Sequence, residues 1–309
     1  PTLIADPSLA FDGDSKAQTY DQTMLTTDEF KSILDSLYSE QYILIDMQSI
    51  AALSTDDRGT TTMDSQTLKL PDGKKPLVLS QDNLTYADVS NGDGIATCLV
   101  LDDDGKVKAR YTDKDGHDQT GDYDFIPILD SFIEQHPDFS FRGARGIVSV
   151  SGSNGIYGYR LPDDNTSDTG KELTEDETQI KAISSALTAE GWHIACAGWT
   201  HSYMNEMSAD AFKGEMDSWI NLASPLVGKS DTLFYPYGAE VSYPGDNLTY
   251  LLDNGFVYLC GLWGDTDYRE LGDGYMRMTR RFIDGYTLQN APNYFTDFFD
   301  AKSLVDDDR

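Results

Sequence analysis

Histidine is scarce in this chain, with four among 309 residues. One of them, His201, closes the stretch from Gly191 to His201, in which an apolar run at 193–197 gives way to a turn of small residues. A strand that ends in such a turn is how α/β barrels present reacting groups, at the C-terminal ends of their strands. An imidazole there can carry a proton near neutral pH or ligate a metal. Taken alone, it also reads as a hydrogen-bonded loop side chain, so its meaning depends on what gathers around it. Two other apolar runs end in polar or aromatic groups. Residues 77–80 lead into Gln81, Asp82 and Asn83, and residues 233–235 lead into Pro236, Tyr237 and Gly238. A carboxylate, an imidazole and a turn of backbone N–H groups are the parts that amide or ester hydrolysis uses as base, proton carrier and oxyanion support.

These three ends need a scaffold, and the hydrophobic pattern supplies one. Thr26 and Glu29 form a capping-box pair before Phe30, Ile33, Leu34, Leu37 and Tyr38, which share one helix face. Residues 42–45 read as a buried strand, and residues 54–66 as a Ser/Thr/Asp/Gly-rich loop. Residues 96–101 and 107–111 flank an Asp104-Gly105 turn and predict an inserted hairpin. Phe125, Ile128, Leu129, Phe132 and Ile133 predict a second amphipathic helix, followed by a strand at 146–150. Thr174 and Glu177 cap a third helix through Ile180, Ile183 and Leu187, which runs into the histidine strand. Ser208 opens a fourth, with Phe212, Met216, Trp219, Ile220 and Ala223 facing inward. Strands at 233–235, 256–259 and 276–283 complete the pattern, with a short helix near 248–252. Strand and helix alternate, which argues for a parallel sheet or barrel covered by helices. Residues 1–25 lack periodicity and read as a surface-lying or poorly ordered lead-in. Residues 1–70 are expected to be an extension packed on a main domain of residues 71–309.

Composition removes several function classes. The chain holds 23 basic and 53 acidic residues, a formal net charge of −30. Such a surface repels phosphate backbones, so nucleic acid is excluded as a partner. No run of 18 apolar residues exists, so no transmembrane helix is expected. Cys98, Cys196 and Cys260 are too few and too far apart for a disulfide framework or a zinc ribbon, and read as buried thiols.

The three strand ends, in their order, resemble motifs of the polysaccharide deacetylase (NodB-homology) family over residues 77–285. The segment Leu79 to Asn83 is similar to that family's Thr-Phe-Asp-Asp-Gly strand end. Gly191 to His201 is similar to the strand ending in His-[Ser/Thr]-x-x-His, and Phe234 to Gly238 to Arg-x-Pro-Tyr-Gly. The resemblance implies a distorted (β/α) barrel, here with an N-terminal extension and an inserted hairpin. It implies removal of acetyl groups from N- or O-acetylated glycans with a divalent metal, usually zinc, and an acetylated polysaccharide or cell-wall glycan as partner. It also implies an extracytoplasmic location, secreted or at the cell surface; no signal segment is visible in the chain.

Carried over position by position, the resemblance puts Asp82 at the base position and the Tyr237 N–H at the oxyanion position. Asn83 and His201 fall on metal-ligand positions, and Ala197 replaces the third ligand. The arginine that orients the base falls on Phe234, and no histidine follows His201 to serve as late general acid. A neutral amide is a poor replacement for a carboxylate on zinc, and alanine cannot ligate at all. The expectation is therefore no cofactor, with zinc or another divalent metal only if the chain is an active enzyme. Asp82 and His201 remain open to two readings, a metal-free base pair or a retained hydrogen bond in a decayed site. Trp199, Tyr235, Tyr237 and Trp263 lie at or beyond strand ends, where their faces either stack on sugar rings or merely cover the rim. The leading expectation is a glycan-binding pseudoenzyme of the deacetylase type. The alternatives are an active carbohydrate deacetylase with an unusual site, and a structural or protein-interaction module.

Overall fold

A computed structural model describes residues 2–86, 92–161, 173–262 and 267–309. The chain opens with two short helices, α1 (Pro7–Ala10) and α2 (Ala17–Thr23), then α3 (Thr27–Ser39). Strands β1 (Tyr42–Leu44), β2 (Ala51–Thr55), β3 (Thr61–Ser65), β4 (Lys75–Leu77) and β5 (Ser80–Gln81) follow. A three-stranded antiparallel sheet, β6 (Cys98–Leu101), β7 (Val107–Thr112) and β8 (Asp118–Gly121), precedes α4 (Phe125–Gln135). Alternation then sets in with β9 (Ile147–Val150), α5 (Glu175–Glu190), β10 (His193–Cys196) and α6 (Ala209–Ser218), which a π-turn at Trp219–Ala223 joins to α7 (Ser224–Val227). After β11 (Thr232–Phe234), α8 (Asp246–Asp253) and β12 (Tyr258–Gly261) come β13 (Arg269–Leu271), β14 (Met276–Thr279) and α9 (Gly285–Asn290).

The main sheet has seven strands among the described residues, in the order β13-β14-β12-β11-β10-β9-β5. All its pairings are parallel except β13 with β14. The molecule is thus mixed α/β with a curled, half-barrel sheet. Strand alternation splits the core in two. Val148, Val150, Leu233 and Leu259 face the helices and pack with Ile180, Ile183, Leu187, Phe212 and Met216. Ile147, Ala195, Phe234, Cys260 and Met276 face the opposite way and pack with Met47, Ala51 and Met63. The predicted helix faces are the buried ones, and both capping boxes form, at Thr26–Glu29 and Thr174–Glu177. Each large apolar side chain buried on such a face contributes roughly 1.5–3 kcal/mol.

Several local expectations change. Residues 2–25 are anchored rather than loose. Leu3, Ile4, Ala10, Tyr20 and Met24 are buried, the Ile4 N–H donates to the Leu25 carbonyl at 2.8 Å, and the Leu3 N–H donates to Asp124 at 3.1 Å. Arg309 locks this region from the other end of the chain. It donates to Glu29 at 2.5 and 2.6 Å and to the Met24 carbonyl at 2.7 Å. Residues 51–65 form the β2–β3 hairpin in place of the expected loop. Facing Thr55 and Thr61 hydroxyls at 3.1 Å explain why a polar segment still pairs. The predicted strand over 77–80 is interrupted, with β4 and β5 lying in different sheets. The expected hairpin gains β8, and the antiparallel β13 had no clear pattern.

Asp124 ties these parts to the first strand end. It caps α4 and accepts from the Leu3 N–H, Gln81 Nε2 at 3.1 Å, the Tyr86 hydroxyl at 2.5 Å and the Phe125 N–H at 2.8 Å. Burial raises its pKa despite these four donors. Asp130 has a related position between α4 and the entry to β10. It accepts from Trp192 Nε1 at 3.0 Å and Arg145 Nε at 2.9 Å. Burial, then the nearby Glu190 charge, push its pKa up to about 7. A carboxyl whose folded pKa is raised binds more protons in the folded chain than in the unfolded one. Its stabilisation is therefore greatest at low pH and is lost as pH rises from about 4 to about 7. Urea unfolding between these values is expected to show this loss, on the order of 2–4 kcal/mol. Asp130→Asn should remove that slope.

Candidate functional site

All three strand ends singled out in the sequence carry a non-glycine residue in the left-handed region: Asn83 at φ 50°, His201 at φ 55° and Tyr237 at φ 56°. A side-chain-bearing residue in that conformation costs about 1–3 kcal/mol, and such strain collects where a site demands it. Each turn has its own fastening. The Asn83 N–H donates to Ser149 Oγ at 2.9 Å, and the Leu84 N–H to the Ser149 carbonyl at 2.9 Å. The turn after β10 is held by Glu215, buried on the inner face of α6. Glu215 accepts from the Thr200 N–H at 2.6 Å and from the Thr200 hydroxyl at 3.0 Å. At the third end Gly238 has φ +71°, and a Cβ there would lie 2.3 Å from the Leu262 carbonyl oxygen, so only glycine lets the turn pack on β12.

Asp82 does not stand free. Arg280, just past β14, grips it with both terminal nitrogens, Nη1 to Oδ1 at 2.7 Å and Nη2 to Oδ2 at 3.2 Å. The same guanidinium lies over the Phe234 ring, 3.9 Å from its centroid. Phe234 is thus a platform for an arginine that comes from another strand. Burial alone would push the Asp82 carboxyl up, but the Arg280 charge and hydrogen bonds outweigh it and hold the pKa below the usual carboxylate value. Ser149 Oγ lies 3.5 Å from the same carboxylate. Burial lowers the His201 pKa, with Asp82 opposing it and Arg280 adding to it. The balance favours the neutral imidazole.

A zinc centre needs three protein donors and an open position. Both Asp82 oxygens are engaged by a cation that would repel a metal at the same place. Asn83 offers a neutral amide, and Ala197, buried beyond the end of β10, offers nothing. No group of three His, Cys, Asp or Glu side chains among the described residues could hold a metal ion. The residues at these three ends therefore do not fit a zinc site. Around these strand ends, among the described residues, Asn83 Oδ1, Ser151 Oγ and Arg280 Nε are buried without a hydrogen-bond partner. Unsatisfied groups of this kind mark places where water or a ligand is taken up.

The aromatic residues sort themselves by exposure. The Tyr235 side chain is fully buried, and its hydroxyl pairs with the Tyr243 hydroxyl at 2.8 Å, so no ring face is open to a sugar. Trp199 is half-buried and packs against the core, and its carbonyl accepts from the Gly152 and Ser153 N–H groups at 3.0 and 2.9 Å. Trp263 lies outside the described residues. The exposed rings beside His201 are Tyr237, 55% accessible, and Tyr203, 49% accessible. They stack at 4.5 Å with 20° between their planes, and Tyr237 meets the His201 ring edge-on at 4.9 Å. The sequence reading passed over Tyr203 and Glu215. Tyr203 had no periodic signal. Glu215 did, being an acidic residue among Phe212, Met216 and Trp219 on an otherwise apolar helix face.

No known family's sequence profile matches this chain, and no curated protein matches it. Similar solved structures exist. The Streptococcus pyogenes deacetylase PplD in complex with acetate shares 13% identity, covers 89% of this chain and 91% of its own, and gives a TM-score of 0.45. A candidate polysaccharide deacetylase from Mycobacterium smegmatis shares 16% identity over 52% of this chain, at a TM-score of 0.33, and this chain spans 45% of its length. Puue allantoinase shares 20% identity over 40% of this chain and 39% of its own, at a TM-score of 0.25. One of these three is described as a polysaccharide deacetylase and another as a deacetylase.

Removing Arg280 strands a mostly buried carboxylate. Arg280→Ala is expected to cost about 3 kcal/mol at neutral pH, the low end for a broken buried pair because a fifth of the Asp82 side chain meets solvent. With its largest opposing influence gone, burial raises the Asp82 pKa. In the wild type the lowered pKa contributes stability above the unfolded value near 3.8, and this is lost as pH falls through the folded value. The variant's deficit should accordingly shrink as pH is lowered to about 4, a trend that urea unfolding of both proteins would measure.

Proposed function

We propose that this chain is a polysaccharide deacetylase-like protein that binds an acetylated glycan at its rim, with turnover weak or absent. The observation that carries the reading is the grip of Arg280 on Asp82. A carboxylate held ionised by a guanidinium is a weaker proton acceptor at neutral pH, and since the resemblance also implies an arginine on the base, the missing ligands at Asn83 and Ala197 weigh at least as much. The guanidinium's charge also stands where a divalent cation would have to approach. Without a metal-polarised water or a second positioned acid, amide hydrolysis lacks much of its machinery.

Binding needs less. The exposed Tyr203–Tyr237 pair offers a flat apolar face beside His201, of the kind that stacks on the C–H face of a sugar ring. The orphaned Asn83 Oδ1 and Ser151 Oγ are suited to hydrogen bonds with sugar or acetamido groups. In this reading Trp199 flanks the groove, and the Tyr237 N–H faces the acetyl carbonyl. The seven-stranded sheet is the family's distorted (β/α) barrel, residues 1–70 are its extension, and the β6–β8 sheet is an insertion. An extracytoplasmic location belongs to the same proposal.

Two measurements test it. Calorimetric titration of the full chain with an N-acetylglucosamine tetramer should show binding that Tyr203→Ala and Tyr237→Ala each weaken roughly three- to tenfold. No binding, or binding indifferent to both changes, sinks the glycan reading. Elemental analysis after dialysis against zinc should find the wild type far below one zinc per chain, and an Asn83→Asp, Ala197→His double variant markedly enriched. Near-stoichiometric zinc on the wild type would make the chain an active deacetylase with a different ligand set.

A further inference from the structure

The seven-stranded sheet stays open between its edges, β5 on one side and β13–β14 on the other, and a cavity of about 720 Å³ lies there. This volume is in the range of small-molecule sites. Asp82 and Arg280 line it, whereas His201, Tyr203 and Tyr237 do not. It is therefore distinct from the rim. Phe30, Ile33 and Leu37 of α3 form one wall, and Phe295, Phe298 and Phe299 form another. A sugar does not suit such walls, because each hydroxyl placed against them would lose water without gaining a partner.

We infer that this cavity binds a long-chain aliphatic carboxylate of the fatty-acid kind, its chain among the phenylalanines and its head group at Arg269. The charge pattern selects the head group. The cavity is lined by four cations, Lys75, Arg269, Arg280 and Arg281, against three carboxylates, Asp82, Asp267 and Asp297, on a chain of net charge −30. Arg280 is taken by Asp82, and Arg281 by Asp267 and Asp297. Lys75 lies 3.6 Å from Glu40. Arg269 is exposed at the cavity's edge, and no carboxylate among the described residues pairs with it. A surplus cation beside a large apolar volume suits an anionic head on an apolar tail, and it disfavours an alcohol or an amine of the same length.

The test is calorimetric titration of the full chain with octanoate, decanoate and dodecanoate below their aggregation concentrations, with dodecanol as the neutral control. Affinity should tighten roughly three- to fourfold for each added methylene. Arg269→Ala, a surface change that leaves the walls intact, should weaken dodecanoate roughly threefold and leave dodecanol unchanged. Ile283→Trp, which places a ring in the cavity, should weaken both. The N-acetylglucosamine tetramer at saturation should leave these affinities unchanged, so this inference and the rim proposal fail separately. Absent binding, affinity independent of chain length, or dodecanoate binding that ignores Arg269→Ala overturns the inference.

Discussion

The structure of the site depends on one charge pair. Arg280 reaches from the end of β14 to Asp82 at the end of β5, across the open seam of the sheet, and lies on the Phe234 ring on the way. An ionised carboxylate with most of its surface buried is tolerable only with such a partner. The pair also decides what the site can do. It engages both oxygens of the side chain best placed to act as base and puts a fixed positive charge next to Asn83 and near His201. These positions resemble a metal site in sequence and do not provide one in space.

Strain shows the same organisation. Asn83, His201 and Tyr237 each hold a left-handed backbone conformation at the end of a different strand, and each turn is stabilised from outside, by Ser149, Glu215 or the close packing of Gly238 on Leu262. On the proposed reading, this surface serves recognition rather than turnover. The exposed tyrosine pair and the unpartnered Asn83 and Ser151 atoms are what that surface offers.

Much of the fold was legible because it rests on local physics. The capping boxes at Thr26 and Thr174, the apolar faces of α3, α4 and α5, and the strand–helix alternation after residue 146 follow from periodicity and side-chain chemistry. The β2–β3 hairpin was missed because its strands are stabilised by hydroxyl pairs rather than by an alternating apolar face. The first 25 residues lacked periodicity, since they are held by single anchors, Leu3, Ile4, Tyr20 and Met24, docked on distant parts of the chain. At the site, Asp82, His201 and Tyr237 could be placed at strand ends by spacing alone. That Arg280 would reach Asp82 could not, because 198 residues separate them and only the sheet order brings them together. Tyr235 and Tyr237 looked alike in sequence. Two positions apart on one turn, one is buried against Tyr243 and the other faces solvent.

The central claim is that Asp82 is neutralised in place by Arg280 and is not poised as a base. Its most direct test is a pH titration of the Asp82 side-chain carboxyl carbon by NMR in the folded protein, with Asp82→Asn to assign the resonance. The account predicts a carboxyl that stays ionised down through the ordinary carboxylate range and titrates below it. A carboxyl that titrates well above that range, toward neutrality, would contradict the account and mark Asp82 as a working general base.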